Sequence, residues 1–294
     1  MLHFLHDLAI HPDSDAKLEY SAFALACAAL VNITAVLVSR RKSSLKLFDS
    51  ASGLTVAFVC VFTLLLRGTY FPRQVIATTL VCAWGARLSF HLYTRGYQRT
   101  SDTANVISRI LWCFVSSIPT VICNTLQDHR LQTTTVEKVG VAVAVSALAF
   151  EAIADVQKAR WHASHPPELK PTKEGVEPPV CAAGVWNLTR HPNLFGECLF
   201  HWGIYLIVRP AEESVIITCP ILLTLAILIL PGGIVSQESD RNRKYAMFPS
   251  YASYRLRTPV FMPCHPEAYA VMRLLMPRPT NAVCCGFSIY EETV

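Results

Sequence analysis

The chain has 294 residues, of which 52% are hydrophobic and only 16% are charged, and its net charge is +5. Soluble domains carry about 25% charged residues, and a soluble fold would have to bury nearly all of this apolar surface. The composition therefore excludes an ordinary soluble domain and predicts an integral membrane protein.

Seven apolar segments approach or reach the roughly 17–25 residues that a helix needs to cross a bilayer. In chain order they are 20–38, 50–66, 74–93, 104–123, 136–156, 194–208 and 214–235. We therefore predict an all-α, polytopic membrane bundle of about seven transmembrane helices. The Pro-rich stretch 166–179 is the clearest irregular loop between them.

Basic residues are divided unequally between the two sides of this bundle. Loops on one side, together with the C-terminal tail, hold 18 lysines and arginines, against 6 on the other side. Because short cytoplasmic loops are enriched in Lys and Arg, the basic side is expected to face the cytosol. The N-terminus is then lumenal and the C-terminus cytosolic.

A first group of polar residues ends the fifth segment, in the string FEAIADVQKARWH. Glu151, Asp155 and Lys158 are spaced four and three apart, so they share one helical face. Ionisable groups at membrane depth are costly and usually face an interior cavity. The same spacing equally fits a helix end at which Lys158 extends to the lipid headgroups.

A second group lies in GVWNLTRHPNLFGECLFHWGIYL, residues 184–206. Pro192 is suited to the first position of a helix, and Arg190 and His191 precede it. A helix N-terminus beside an arginine suits a phosphate or a carboxylate. Inside the segment a polar stripe recurs every four residues, at Asn193, Glu197 and His201. Such a stripe forms a ligand site or bonds neighbouring helices, and its carboxylate favours the site.

A third group lies in the tail string QESDRNRKYAMFPSYASYRLRTPVFMP, residues 237–263. Glu238, Arg241 and Tyr245 fall at three- and four-residue steps on a predicted helix. Taken alone, a basic helix beside the membrane, attracted to anionic headgroups, explains this pattern as well as a binding site does.

Together, the strings CAWGARLSFHLYTRG, EAIADVQKARW, GVWNLTRHPNLFGE and YASYRLRTPVFMP resemble the steroid 5-alpha-reductase-like membrane proteins, and within them a poorly characterised microbial branch. The resemblance implies a seven-helix bundle whose C-terminal helices bind NADPH and whose N-terminal helices shape a lipid cavity. We accordingly expect N-terminal transmembrane helices over 1–130, a cofactor-binding region over 131–265 and a cytosolic tail over 266–294. The location expected is the endoplasmic reticulum, with the cofactor site facing the cytosol.

The resemblance also implies a set of cofactor-binding residues. Asp155 resembles an acid of the cofactor site, Asn193 and Glu197 match the N-x-x-G-E motif, and Arg190 and His191 match the RHPN signature of the branch. The full set expected to bind NADPH is Asp155, Lys158, Arg190, His191, Asn193, Glu197, Glu238, Arg241, Tyr245 and Tyr254. The phosphates suit the arginines, and Lys158 or Arg243 is available for the 2′-phosphate.

The early helices depart from the family. Steroid reductases hold the substrate carbonyl with a Glu and a Tyr, but Trp84 stands at the expected Tyr position and no clear equivalent of the Glu is found. An indole donates a hydrogen bond but cannot transfer a proton. We expect Trp84 and Arg87 to act as the catalytic donors, on an activated double bond in a lipid rather than on simple 4-ene-3-oxo steroids.

Two other functions stay open. Membrane methyltransferases of the isoprenylcysteine and phospholipid type bind S-adenosylmethionine and share an RHP motif, a downstream Glu and a Y-x-x-Y tail, which Arg190-His191-Pro192, Glu238 and Tyr251/Tyr254 would supply. A non-catalytic lipid-binding protein is the third reading. EAIADVQK and the GE after the motif favour the reductase. The sequence contains no CxxC pair, so it does not predict a metal site. The expected partners are a lipid and the bilayer, not a nucleic acid.

Overall fold

A computed structural model describes residues 14–41, 46–94, 103–126, 133–164, 180–210, 219–229, 233–245 and 248–275. These residues form α-helices and loops and contain no strand, which confirms the all-α prediction. The helices are α1 Ser14–Arg41, α2 Lys46–Arg67, α3 Pro72–Thr94, α4 Thr103–Thr125, α5 Thr135–Ser164, α6 Pro192–Val208, α7 Cys219–Ile229, α8 Ile234–Tyr245, α9 Pro249–Arg257 and α10 Pro266–Leu275. A short 3-10 helix, Gly184–Asn187, precedes α6.

Among the described residues, six helical stretches are long and apolar enough to cross a membrane: α1 to α5 and the stretch Pro220–Tyr245. The protein is therefore a multi-pass membrane protein. The predicted sixth segment is α6, which has 17 residues and is shorter than those six, so the count of seven and the orientation stay predictions. The Pro-rich loop 166–179 lies outside the described residues.

The chain divides into two compact units. Unit 1 comprises Met1–Ser146 and Cys198–Ala226, and unit 2 comprises Ala147–Glu197 and Ile227–Val294. The expected division into 1–130, 131–265 and 266–294 was based on function and stays a prediction. Residues 276–294 of the expected tail lie outside the described part of the chain.

In unit 1, one glutamine satisfies the ends of two helices. Gln74, in the first turn of α3, donates from Nε2 to the carbonyls of Cys123 and Leu126 at the end of α4, at 3.2 and 3.1 Å. Its Oε1 accepts from the backbone N–H of Phe71 at 3.1 Å. Helix ends leave backbone groups without intrahelical partners, so this buried side chain stabilises the junction of α3 and α4.

A buried ion pair joins the starts of α3 and α5. Arg73 binds Glu137 through two guanidinium nitrogens, with Nε donating to Oε1 at 2.7 Å. The other carboxylate oxygen of Glu137 accepts from the N–H of Thr134 at 2.9 Å, and the Thr134 hydroxyl accepts from the N–H of Glu137 at 3.3 Å. This reciprocal pair is a capping box, so Glu137 both starts α5 and binds α3.

A second buried ion pair joins α4 to α2. Arg109 donates from Nη2 to Oδ1 of Asp49 at 2.8 Å and from Nη1 to the Ser52 hydroxyl at 2.7 Å. Its guanidinium also lies 4.3 Å from the centre of the Phe48 ring. Because Asp49 is fully buried, this partner neutralises a charge that would otherwise be very costly in an apolar interior.

Candidate functional site: a buried cationic cluster

The loop before α6 is anchored on α5 within unit 2. The Trp186 indole N–H donates to the Ala154 carbonyl at 2.9 Å, and the Val185 N–H donates to Gln157 Oε1 at 3.0 Å. Gly184 has φ +60, and a Cβ there would collide with the Gln157 side chain. The positive φ therefore favours a glycine at this position. The sequence predicted no functional role for Gln157 or Trp186, although Trp186 lies in the GVWN string that begins the second polar group.

The C-terminal tail anchors the other side of this loop. The Arg190 N–H donates to the Pro259 carbonyl at 2.8 Å, and the Thr189 hydroxyl donates to the Phe261 carbonyl at 2.9 Å. Thr189 is fully buried. Backbone groups just before a helix need partners of this kind. The tail therefore fixes the backbone position of Arg190 and His191 at the start of α6.

Four residues meet at the start of α6 and on α8, and we call them the Glu238 cluster. Glu238 receives an ion pair from Arg190 Nη1 at 2.5 Å and a hydrogen bond from His191 Nε2 at 2.8 Å. Arg241 Nη1 lies 3.7 Å from the same carboxylate. Arg190, His191 and Glu238 are buried, and Arg241 is half-buried. The structure thus brings together four of the ten expected cofactor-binding residues.

The cluster carries more positive than negative charge. Burial lowers the pKa of His191 from 6.5 to about 4, although its hydrogen bond to Glu238 opposes this change. The imidazole is therefore neutral near pH 7, and two guanidinium groups face one carboxylate. Arg190 Nε is buried and has no hydrogen-bond partner among the residues that the structure describes. An unsatisfied buried donor costs about 1–3 kcal/mol, so the cluster is suited to an additional anionic ligand.

Lys158 is held by aromatic rings near this cluster. Its ammonium lies 4.5 Å from the centre of the Trp186 ring and 4.9 Å from that of Trp161, which are favourable cation–π distances. Burial raises the pKa of the adjacent Cys181 thiol, and the positive charges of Lys158 and Arg241 partly oppose that rise. Lys158 and Arg241 therefore both act at close range on one buried group.

Three further residues expected at the site, two acids and one amide, are also in unit 2. Asp155 and Glu197 are buried, and Asn193 is half-buried. A Cβ added to Gly196, the glycine of the G-E pair, would lie 2.9 Å from the Cβ of Glu151. The glycine therefore allows α5 and α6 to approach closely beside the two carboxylates Glu151 and Glu197.

The tail tyrosines are engaged in packing. The Tyr254 hydroxyl donates to the Trp186 carbonyl at 2.8 Å, and the Tyr251 hydroxyl donates to Asn242 Oδ1 at 3.0 Å. Burial raises the pKa of both phenols, that of Tyr251 to about 12, so both stay neutral donors. Tyr245 packs edge-on against Tyr251, with ring centroids 5.9 Å apart.

The two residues expected to be catalytic lie in unit 1. Trp84 is fully buried and stacks on Phe200, with ring centroids 5.5 Å apart, and the ring of His201 meets it edge-on at 4.8 Å. Within the described part of the chain, neither Trp84 Nε1 nor His201 Nε2 has a hydrogen-bond partner. Arg87, one turn further along α3, is half-buried. The sequence pattern includes His201 as the third member of the polar stripe but predicts no specific role for it.

Fold and site together define a polytopic, all-helical membrane protein with a buried cationic cluster. The chain matches the family described as "Protein of unknown function (DUF1295)" over residues 35–107 and 104–258. It belongs to that family, which is a steroid 5-alpha-reductase-like membrane family. No curated protein matches the chain, and no solved structure does.

Proposed function

We propose that this protein is a membrane-embedded, NADPH-dependent reductase of an activated carbon–carbon double bond in a lipid, sterol-like or enoyl in structure. The observation that carries the proposal is the surplus of positive charge in the Glu238 cluster, together with the unsatisfied Nε of Arg190. A buried cationic group with a spare donor favours a ligand that brings phosphate oxygens.

The residues of unit 2 match the parts of NADPH. Arg190 and Arg241 suit the phosphates, and Lys158 offers one further cation for the 2′-phosphate. Asp155, Asn193 and Glu197 suit the ribose hydroxyls and the carboxamide as hydrogen-bonding partners. S-adenosylmethionine carries no phosphate and offers the arginines only its single carboxylate, so it matches the surplus positive charge beside Glu238 less well than NADPH does.

In the proposed reaction, NADPH supplies the two electrons and one hydrogen that saturate one carbon of the double bond. The chain supplies donors for the carbonyl oxygen conjugated to that bond. Trp84 has an indole N–H without a hydrogen-bond partner among the described residues, and a donor fixed in advance stabilises the charge that develops on such an oxygen. Arg87 is a second donor. His201 adds an imidazole, which can move a proton where an indole cannot.

The methyltransferase alternative has less support from the tail. It would use Tyr251 and Tyr254 of the Y-x-x-Y pattern together with Glu238. The tyrosine hydroxyls already donate to Asn242 and to the Trp186 carbonyl. Glu238 already accepts from the Arg190 and His191 side chains.

The deciding experiment compares NADPH with S-adenosylmethionine as stabilisers of the detergent-purified protein. A ligand at 100 times its dissociation constant stabilises by about 2.7 kcal/mol, which shifts the melting temperature measurably. We expect stabilisation by NADPH, weaker stabilisation by NADH, and tighter NADPH binding at low salt. Stabilisation by S-adenosylmethionine instead would replace the reductase with a methyltransferase. No shift with either cofactor would favour the lipid-binding protein.

The proposed location is the endoplasmic reticulum, with a lumenal N-terminus and a cytosolic C-terminus and cofactor site. The division of 18 basic residues against 6 supports this orientation. Glycosylation acceptors introduced singly test the orientation: one near residue 10 should be modified in cells, and one beyond residue 270 should not. The reverse pattern would exclude this orientation.

A further inference from the structure

Unit 1 contains a cavity of about 280 Å³, at the end where α3 and α5 begin and α6 finishes. One wall of the cavity is aliphatic. It consists of Ile76 from α3, Val141 from α5 and Ile207 from α6. The cavity does not involve any residue of the Glu238 cluster.

Three charged residues, which we call the polar wall, also line the cavity, although most of the lining surface is apolar. Arg73 and Glu137 line it as a buried ion pair, and the capping box of Thr134 holds Glu137 in place. Lys138 lies beside them, exposed, and forms no ion pair with any residue that the structure describes. Since the ion pair cancels its own charge, Lys138 gives this wall a net charge of about +1.

The position of the cavity indicates what surrounds it. Pro72 and Thr135 begin α3 and α5, two of the membrane-spanning stretches, and the ends of such helices lie at the level of the lipid headgroups. Val75, Val136 and Val139 on the same helix ends are exposed. The cavity is slightly smaller than the roughly 300–1,000 Å³ that encloses a drug-sized ligand, so it accommodates one part of a longer amphiphile.

We propose that this cavity binds one anionic phospholipid, with its phosphate beside Lys138 and part of one acyl chain against Ile76, Val141 and Ile207. The aliphatic wall gives a free phosphate ion no favourable contact, and the single unbalanced positive charge favours a headgroup of net charge −1 over a zwitterionic one. Because the ion pair and its cap are already formed, the polar wall needs no rearrangement to receive the lipid.

The test is native mass spectrometry of the full-length protein released from detergent. Phosphatidylglycerol and phosphatidylcholine with identical acyl chains are added in equal amounts. We expect one tightly bound phosphatidylglycerol and a clear preference for it over phosphatidylcholine. Lys138→Gln should weaken phosphatidylglycerol binding about five-fold, the equivalent of the roughly 1 kcal/mol that one basic residue contributes near an anionic membrane surface. Lys244→Gln, which removes an exposed lysine of α8, is the matched control and should have no effect.

A second variant tests the acyl-chain wall without touching a charge. Val141→Phe places a larger side chain in the cavity and should reduce phosphatidylglycerol binding while the protein stays folded by thermal unfolding. Inorganic phosphate at millimolar concentration should not displace the lipid. Equal binding of both lipids, or full binding by the Lys138→Gln variant, would overturn the proposal. Displacement by inorganic phosphate would overturn it too, by showing a site for the free anion.

Discussion

The two units differ in how their buried charged side chains are paired. In unit 1, Arg109 meets Asp49 and Arg73 meets Glu137, one cation to one carboxylate, each pair joining two helices. In unit 2, Arg190 and Arg241 share the single carboxylate of Glu238 with a neutral histidine, and Arg190 keeps an unsatisfied donor. A balanced pair needs nothing further, whereas an unbalanced cluster is stabilised by an added anion.

The balance of charge therefore distinguishes the helix-joining ion pairs of unit 1 from the Glu238 cluster, the ligand site that we propose. Burial alone does not, since Asp49, Glu137 and Glu238 are all buried. A pair removed from water as a unit must recover its desolvation penalty from its own geometry. In a ligand site, part of the desolvation penalty is offset only when the ligand binds. Some buried polar groups of such a site therefore have no partner in the free protein.

The largest effect is expected from breaking a balanced pair. Arg109→Met leaves Asp49 as an unpaired buried charge and should destabilise the protein by about 3–5 kcal/mol. Thermal unfolding in detergent measures this loss. The double variant Asp49→Leu/Arg109→Met removes both charges and should be more stable than the single variant. A single variant as stable as the wild type would show that the pair does not join α2 and α4.

In the Glu238 cluster, replacing one basic residue with another should weaken NADPH binding without destabilising the fold. Arg190→Lys keeps a positive charge beside Glu238 but loses the planar guanidinium that contacts phosphate at two points. The dissociation constant for NADPH should rise roughly 10- to 100-fold, or about 1.5–3 kcal/mol, with little change in melting temperature. Calorimetric titration measures it, and Arg209→Lys, an exposed arginine of unit 1, is the control. An unchanged affinity would remove Arg190 from the cofactor site.

Part of the pH dependence of stability should originate in unit 2. The pKa of His191 falls from 6.5 to about 4 on folding, so the unfolded chain binds a proton first as the pH falls. Stability is therefore complete above about pH 6.5 and decreases between pH 6.5 and 4, by at most about 1.4 kcal/mol per pH unit. Unfolding at a series of pH values should show this slope, and His191→Asn should flatten it. His265→Asn, at an exposed position, should leave it unchanged; a slope as steep in the His191 variant as in the wild type would contradict the assignment.

The smallest effect separates two neighbouring arginines of α8. Arg241 lies 3.7 Å from Glu238, whereas the exposed Arg243 pairs with Asp240 on its own helix. Arg241→Gln should weaken NADPH binding about five-fold, equivalent to about 1 kcal/mol, and should reduce its dependence on salt. Arg243→Gln should do neither, because an exposed pair contributes little. Equal losses in both variants would indicate a general effect of charge.

The helices were predictable because their signals are local. Apolar runs located the membrane segments, and Pro192 begins α6 as the sequence indicated. The ion-pair partners were not predictable, since Arg73 and Glu137 are 64 residues apart and Arg109 and Asp49 are 60 apart. Spacing along a chain carries no information about such contacts.

The candidate site was predictable in part. Arg190, His191, Glu238 and Arg241 were grouped by family resemblance, and the structure places them together. Resemblance could not give the charge balance or the unsatisfied nitrogen of Arg190, which depend on three-dimensional contacts. Tyr254, assigned to the cofactor in the same way, donates to the Trp186 carbonyl, and its contact with NADPH stays a prediction.

The hydrogen bond from the Thr189 hydroxyl to the Phe261 carbonyl joins residues 72 positions apart, so it can form only late in synthesis. Chains grow at about 5–20 residues per second, so the segment around Thr189 leaves the ribosome several seconds before its partner exists. The membrane helices of unit 1 have been translated by then, but the loop that carries Arg190 cannot close until the tail emerges. The loop therefore reaches its final position only after the chain has been synthesised up to Phe261. A premature stop codon before Pro259 would yield a product in which the Arg190 N–H lacks its backbone partner.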